Sequence, residues 1–78
     1  MAKNIYAEIM SGVHDNSIRF GDLRKLLESS GFSCRVKGDH FIYWRGDIPE
    51  IVNIQPDGSK AKPYQVKQIR ILFEKYGV

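Results

Sequence analysis

Paired cysteines, metal-ligand spacings, membrane spans and internal repeats are all missing from this chain, and each absence narrows what it can do. A single cysteine, Cys34, cannot form an internal bridge, which points to a reducing compartment and a buried structural thiol. That cysteine and two histidines 26 positions apart, His14 and His40, give no zinc-ligand pattern. No metal and no cofactor is therefore expected. No run approaches the roughly 18 apolar residues of a membrane-spanning helix, and Met1-Ala2-Lys3 is not followed by the apolar segment of a signal peptide. The expectation is a soluble cytoplasmic protein with no membrane partner. Within 78 residues only one small core can form, which leaves no room for a large cofactor pocket and puts function on a surface.

What is present is a modest positive charge, unevenly spread. The formal net charge is +3 and the sequence pI is near 9.2, which favours a polyanionic partner. Lys60, Lys62, Lys67 and Arg70 fall in a stretch without a carboxylate, whereas Asp15, Asp22 and Glu28 lie in the first half. The positive field is concentrated late in the chain.

The most informative segment is Arg35-Val36-Lys37-Gly38-Asp39-His40-Phe41-Ile42-Tyr43. Gly38-Asp39 suits a two-residue II′ turn between two alternating strands. Counting outward pairs Lys37 with His40, Val36 with Phe41, Arg35 with Ile42, Cys34 with Tyr43 and Ser33 with Trp44, and directly opposed residues share a face. One face, with Phe32, Cys34, Val36, Phe41 and Tyr43, reads as core. The other, with Ser33, Arg35, Lys37, His40, Ile42 and Trp44, is basic and aromatic and holds the histidine.

Around this hairpin the pattern gives a helix over residues 4 to 11 capped by Asn4 and closed by Ser11-Gly12, and a second helix from about Phe20 to Ser29 stopped by Gly31. Val13 to Ser17 reads as a connector in which His14 is a solvated loop residue. Arg24, Lys25 and Glu28 are expected to face water. Gly46 to Pro49 reads as a turn, Glu50 to Gln55 as a third strand ended by Pro56-Asp57-Gly58, and a last helix runs from near Pro63 to before Gly77. Its buried stripe is Val66, Ile69, Phe73 and Tyr76, with Leu72 beside it. The expected fold is α+β, a three-stranded antiparallel sheet with helices on one face and the other face open.

From Ile18 to Tyr76 the chain resembles the HicA family of small bacterial and archaeal toxins. Three pieces carry the resemblance: Ile18-Arg19-Phe20-Gly21-Asp22-Leu23 with Leu26-Leu27 and Gly31-Phe32; Arg35 to His40; and Asn53-Ile54-Gln55-Pro56 continuing through Gly58 to Arg70. The resemblance implies a ribonuclease related in fold to the double-stranded RNA-binding domain, held in check by a HicB-type antitoxin. It divides the chain into an amino-terminal helical extension, residues 1–17, and a HicA-like ribonuclease domain, residues 18–78. Asp39 departs from the Ser or Thr that the family usually places before the histidine, and Phe41 stands where close relatives often have a second histidine.

On this resemblance His40 is the catalytic histidine of an mRNA-cleaving, metal-independent endoribonuclease. A histidine of ordinary pKa near 6.5 serves as base or acid near neutral pH. Without the resemblance a lone histidine reads first as a solvated turn-end side chain with no chemistry. Arg35 and Lys37, with Gly38 between them and His40, are candidates for the scissile phosphate. Lys60 and Lys62, ahead of the last helix, and Lys67 within it are candidates for backbone phosphates; the bland alternative for Lys60-Ala61-Lys62 is a flexible polar loop. Ile42 and Trp44 on the open face suit antitoxin contact or base stacking, and Tyr64 either stacks on a base or covers the core. The competing expectation, kept alive by Asp39, is a catalytically silent relative that binds RNA or antitoxin without cutting. A DNA-reading helix-turn-helix is disfavoured because the second helix leads into a strand.

Overall fold

The structure, a computed structural model, describes residues 4–78; residues 1–3, assigned above to the amino-terminal extension, lie outside the described residues. Helix α1 (Ile5–Ser11) opens with the Asn4 side chain accepting from the Ala7 N–H at 3.0 Å and closes on Gly12 at φ 75°. Both caps follow from the sequence, since Asn satisfies an orphan N–H and Gly accepts the left-handed closing conformation. A single 3-10 turn, Asp15–Ser17, occupies the expected connector. Helix α2 (Phe20–Ser29) buries Phe20, Leu23, Leu26 and Leu27, the stripe anticipated from their spacing.

Strands β1 (Ser33–Lys37), β2 (His40–Arg45) and β3 (Ile48–Ile54) form an antiparallel sheet in the order β1-β2-β3. The β1–β2 register is the one counted from the turn, from Lys37 opposite His40 to Ser33 opposite Trp44. Gly38 has φ 62°, and among the described residues no non-glycine has positive φ, which fits a II′ turn. Beyond β2 the reading needs correction. The turn is only Gly46-Asp47, and Ile48 and Pro49 already belong to β3. Proline is tolerated there because β3 is an edge strand whose outer side needs no donor. Tyr43 pairs with Val52 and Arg45 with Ile48, so Trp44 alone spans Pro49, Glu50 and Ile51 at a bulge.

The chain after β3 is a small hairpin rather than a loop, with β4 (Pro56–Asp57) paired to β5 (Lys60–Ala61) around Gly58-Ser59. It is tied to the start of α2, where the Phe20 N–H donates to the Ser59 carbonyl at 3.0 Å and the Ala61 N–H to the Ile18 carbonyl at 2.8 Å. Helix α3 (Pro63–Tyr76) follows, with Pro63 in its first turn and Gly77 closing it.

The core joins Ile9 of α1, the α2 stripe, Phe32, Tyr43, Ile48, Ile54 and the α3 residues Val66, Ile69, Leu72 and Phe73. Cys34 is half-buried rather than sealed inside. Val36, on the core face by alternation, is 52% exposed, as suits the free edge of β1. Nor do Arg24 and Glu28 simply face water. The Tyr43 hydroxyl accepts from Arg24 Nε at 3.0 Å and donates to Glu28 at 2.8 Å, while the Arg24 guanidinium lies 4.4 Å from the Phe41 ring centroid. Burial pushes the Tyr43 phenol above its ordinary range, against the opposing effect of the Arg24 hydrogen bond. The order from α2 to α3 is that of the double-stranded RNA-binding domain, a three-stranded sheet between two helices, preceded here by the added helix α1.

Candidate active site

The open sheet face is polar at one end and apolar at the other. Alternation puts Arg35 and Lys37 of β1, His40 of β2 and Asn53 of β3 on this face at one end, with Ile42, Trp44 and Ile51 continuing it. Trp44 is 41% and Ile51 68% exposed, and Ile42 is half-buried. Exposed apolar groups beside cations offer a surface for a flat ring or a protein partner.

His40 is exposed and held at its ring. Nδ1 lies 3.1 Å from Asn53 Oδ1, and Nε2 lies 3.8 Å from an oxygen of the adjacent Asp39. The other Asp39 oxygen accepts from the Gln55 amide nitrogen at 3.2 Å, and the Gln55 amide oxygen accepts from Lys62 Nζ at 3.4 Å. The neutral amide thus bridges an anion and a cation with each end facing the charge it suits. Lys62, at the mouth of α3, is linked through this bridge to Asp39, the neighbour of the histidine.

Behind the bridge stands Gln65, the buried polar residue of α3, 4% exposed. Its amide oxygen accepts from the Gln55 backbone N–H at 3.1 Å, and its amide nitrogen faces the Asn53 carbonyl and the Tyr64 hydroxyl, each at 3.5 Å. Gln65 therefore fixes the end of β3 from which Asn53 and Gln55 project. Its position was legible in principle: it precedes Ile69 by four residues and Leu72 by seven, on the buried stripe of the helix. Asn53 and Gln55 were missed as site residues because their nearness to His40 depends on the β2–β3 register, which the misplaced turn obscured.

Arg35, Lys37 and Gly38 are exposed around the histidine, with Lys37 directly across the ladder from it. Lys60 is exposed on β5, anchored through its backbone by the bridge with Arg19. Tyr64 is exposed and does not cover the core. Lys67 is exposed further along α3, and no described contact joins it to the His40 cluster. Arg70, the last cation of the basic stretch, is engaged elsewhere: it grips Asp15 with two nitrogens at 2.8 and 3.0 Å and donates to the Ile9 carbonyl at 3.0 Å. His14 is solvated, with Glu8 at 3.7 Å. A groove of about 370 Å³ between β3 and α3, lined by Ile51, Val52, Ile71 and Leu72, borders this cluster only at Asn53.

No helix of the described residues is long and apolar enough to cross a membrane. No curated protein and no solved structure matches the chain. One family model does match, that of the HicA toxin of bacterial toxin-antitoxin systems, and it covers residues 20–77, from the first residue of α2 to the glycine that closes α3. With the sheet, both flanking helices and every residue of the His40 cluster inside that span, the chain belongs to the HicA toxin family.

Proposed function

We propose that this toxin is an endoribonuclease that cleaves mRNA without a metal, using His40 for proton transfer, and that a HicB-type antitoxin neutralises it in the cytoplasm. The observation that carries the reading is His40 itself, an exposed histidine held by Asn53 at one ring nitrogen, sharing its sheet face with Arg35 and Lys37 and linked to Lys62 through Asp39 and Gln55. Cleavage needs a base for the 2′-hydroxyl, an acid for the departing 5′-oxygen and cations for the phosphorane. A histidine among cations supplies these at the order of 10²–10⁴ in rate for the proton transfer.

In this reading Arg35, Lys37 and the Gly38 backbone meet the scissile phosphate, and Lys60, Lys62 and Lys67 meet flanking phosphates. Ile42, Trp44 and Tyr64 contact the antitoxin or stack on bases. Residues 18–78 form the ribonuclease unit and residues 1–17 its extension. Family membership implies an antitoxin partner, and covering the open face would block the histidine and the cations together.

A second reading rests on Asp39, whose carboxylate lies 3.8 Å from His40 Nε2 and repels the phosphate that must approach it: a silent relative that grips RNA or antitoxin without cutting. Cleavage of labelled mRNA in excess chelator, wild type against His40→Ala with binding followed in parallel, separates the two. Expected is a loss of cutting of at least about 10² in the variant with binding retained. Cutting that survives in His40→Ala would sink the catalytic assignment, and binding without cutting by the wild type would establish the silent relative.

A further inference from the structure

We propose that Asn53 is a positioning residue that selects the Nδ1–H tautomer of His40 and so places the reactive lone pair on Nε2. This rests on the catalytic reading of His40, but its geometry stands apart from any turnover. An imidazole has one N–H and one lone pair when neutral, and the hydrogen bond at one nitrogen decides which is which. Here Asn53 Oδ1 lies 3.1 Å from Nδ1. An amide oxygen only accepts, so this contact favours the hydrogen on Nδ1; the Asp39 oxygen, 3.8 Å from Nε2, is too far to hold a hydrogen there.

The placement of the Asn53 backbone has a physical origin. Its backbone carbonyl faces the Gln65 amide nitrogen, and the next-but-one backbone N–H, that of Gln55, donates to the Gln65 oxygen. Gln65 is buried, so this amide clamp is sheltered from competing water. β3 is thereby locked against α3 at the place where Asn53 leaves the strand. At the opposite side of the ring, Gln55, itself held by Lys62, donates to Asp39. Nε2 lies on the Asp39 side of the ring, and Lys37 stands across the ladder from His40.

The consequence for the reaction is a division of labour on one ring. Nε2 takes the proton of the 2′-hydroxyl as the 2′-oxygen bonds to phosphorus and the 5′-oxygen leaves. The resulting imidazolium keeps its Nδ1–H on Asn53 and returns a proton from Nε2 to the departing oxygen. Atoms and charge balance within RNA and His40, with no further reactant.

The test reads the tautomer directly by long-range 1H–15N correlation on full-length protein, above the pH at which the ring is charged. It compares wild type, Asn53→Ala and Asn53→Asp, each with its melting curve. Expected is Nδ1–H in the wild type, a shift towards the Nε2–H form that predominates in free histidine for Asn53→Ala, and retention of Nδ1–H in Asn53→Asp, which is an acceptor only. Cleavage by Asn53→Ala should fall by about 10-fold to 100-fold in kcat, as expected when a histidine loses the partner that fixes its tautomer, with little change in KM. A wild type in the Nε2–H form, or an Asn53→Ala spectrum that does not move, overturns the proposal. If the tautomers behave as expected and wild type cuts no RNA, the ribonuclease reading fails while the assignment to Asn53 stands.

Discussion

The Asp39 carboxylate stands 3.8 Å from His40 Nε2, yet it does not face the histidine unaccompanied. Gln55 takes one of its oxygens and passes the contact to Lys62, so the anion beside the histidine is tied to a cation that offsets it. The three cations Arg35, Lys37 and Lys62 outnumber it at the polar end of the sheet. At such exposed positions the residual repulsion is small, of the order of 0.2–1 kcal/mol. Asp39→Ser is expected to tighten RNA binding by about twofold to fivefold at fixed salt, measured by titration of the His40→Ala protein so that cutting does not interfere. Unchanged or weaker binding would mean that the Gln55–Lys62 bridge, which the substitution also breaks, matters more than the charge it removes.

Among the elements, α1 is joined to the rest of the molecule by specific chemistry. Arg70 of α3 reaches back to the Ile9 carbonyl and clamps Asp15 with two nitrogens, with both side chains largely buried. A Cβ at Gly12 would lie 3.2 Å from the Arg70 guanidinium carbon, so glycine both closes α1 and leaves room for the clamp. Arg70→Leu leaves Asp15 without its partner and is expected to cost about 2 kcal/mol, a fall of about 10 °C in Tm, measured by thermal melting. A melting temperature within about 2 °C of wild type would show that α1 is held by its apolar contacts alone. The same elements show what the sequence could and could not reveal. Caps, helix spans and the β1–β2 register follow from local rules, because Asn4, Gly12, Gly38 and Pro63 act on their own neighbours. The role of Arg70, read only as part of a basic stretch, was not visible because its partner lies 55 residues away. The cluster of Asn53, Gln55 and Gln65 was hidden for the same reason, since it forms only where β2, β3 and α3 meet.

Across the whole molecule, acid stability follows from carboxylates held by hydrogen bonds at the surface. The Tyr76 hydroxyl, then Lys75, hold Glu50 below its usual range, and the Arg45 guanidinium does the same for Asp47. A carboxylate lowered in the native state contributes stability that is fully present above its unfolded value, about 4 for these groups, and lost as pH falls through the lower native value. The urea midpoint is therefore expected to drop between pH 5 and pH 2, and Glu50→Gln should flatten that slope. A midpoint independent of pH over this range would show that neither carboxylate is coupled to folding. At the alkaline end the sign is opposite for Tyr43, whose phenol is raised by burial: its contribution is complete below the ordinary tyrosine value near 10 and fades above it.

The small β4–β5 hairpin, sewn by its backbone to the start of α2, changes the thermodynamic character of Lys60, which it carries, and of Lys62, which it leads into at the cap of α3. A polar loop of that composition would surrender conformational freedom whenever it closed on a polyanion, at about 1–2 kcal/mol for each backbone residue ordered. Here that entropy is already lost in the folded protein, so Lys60 and Lys62 meet a ligand as parts of a rigid surface. In the proposed function their spacing would act as a ruler for phosphates rather than as a mere quantity of charge.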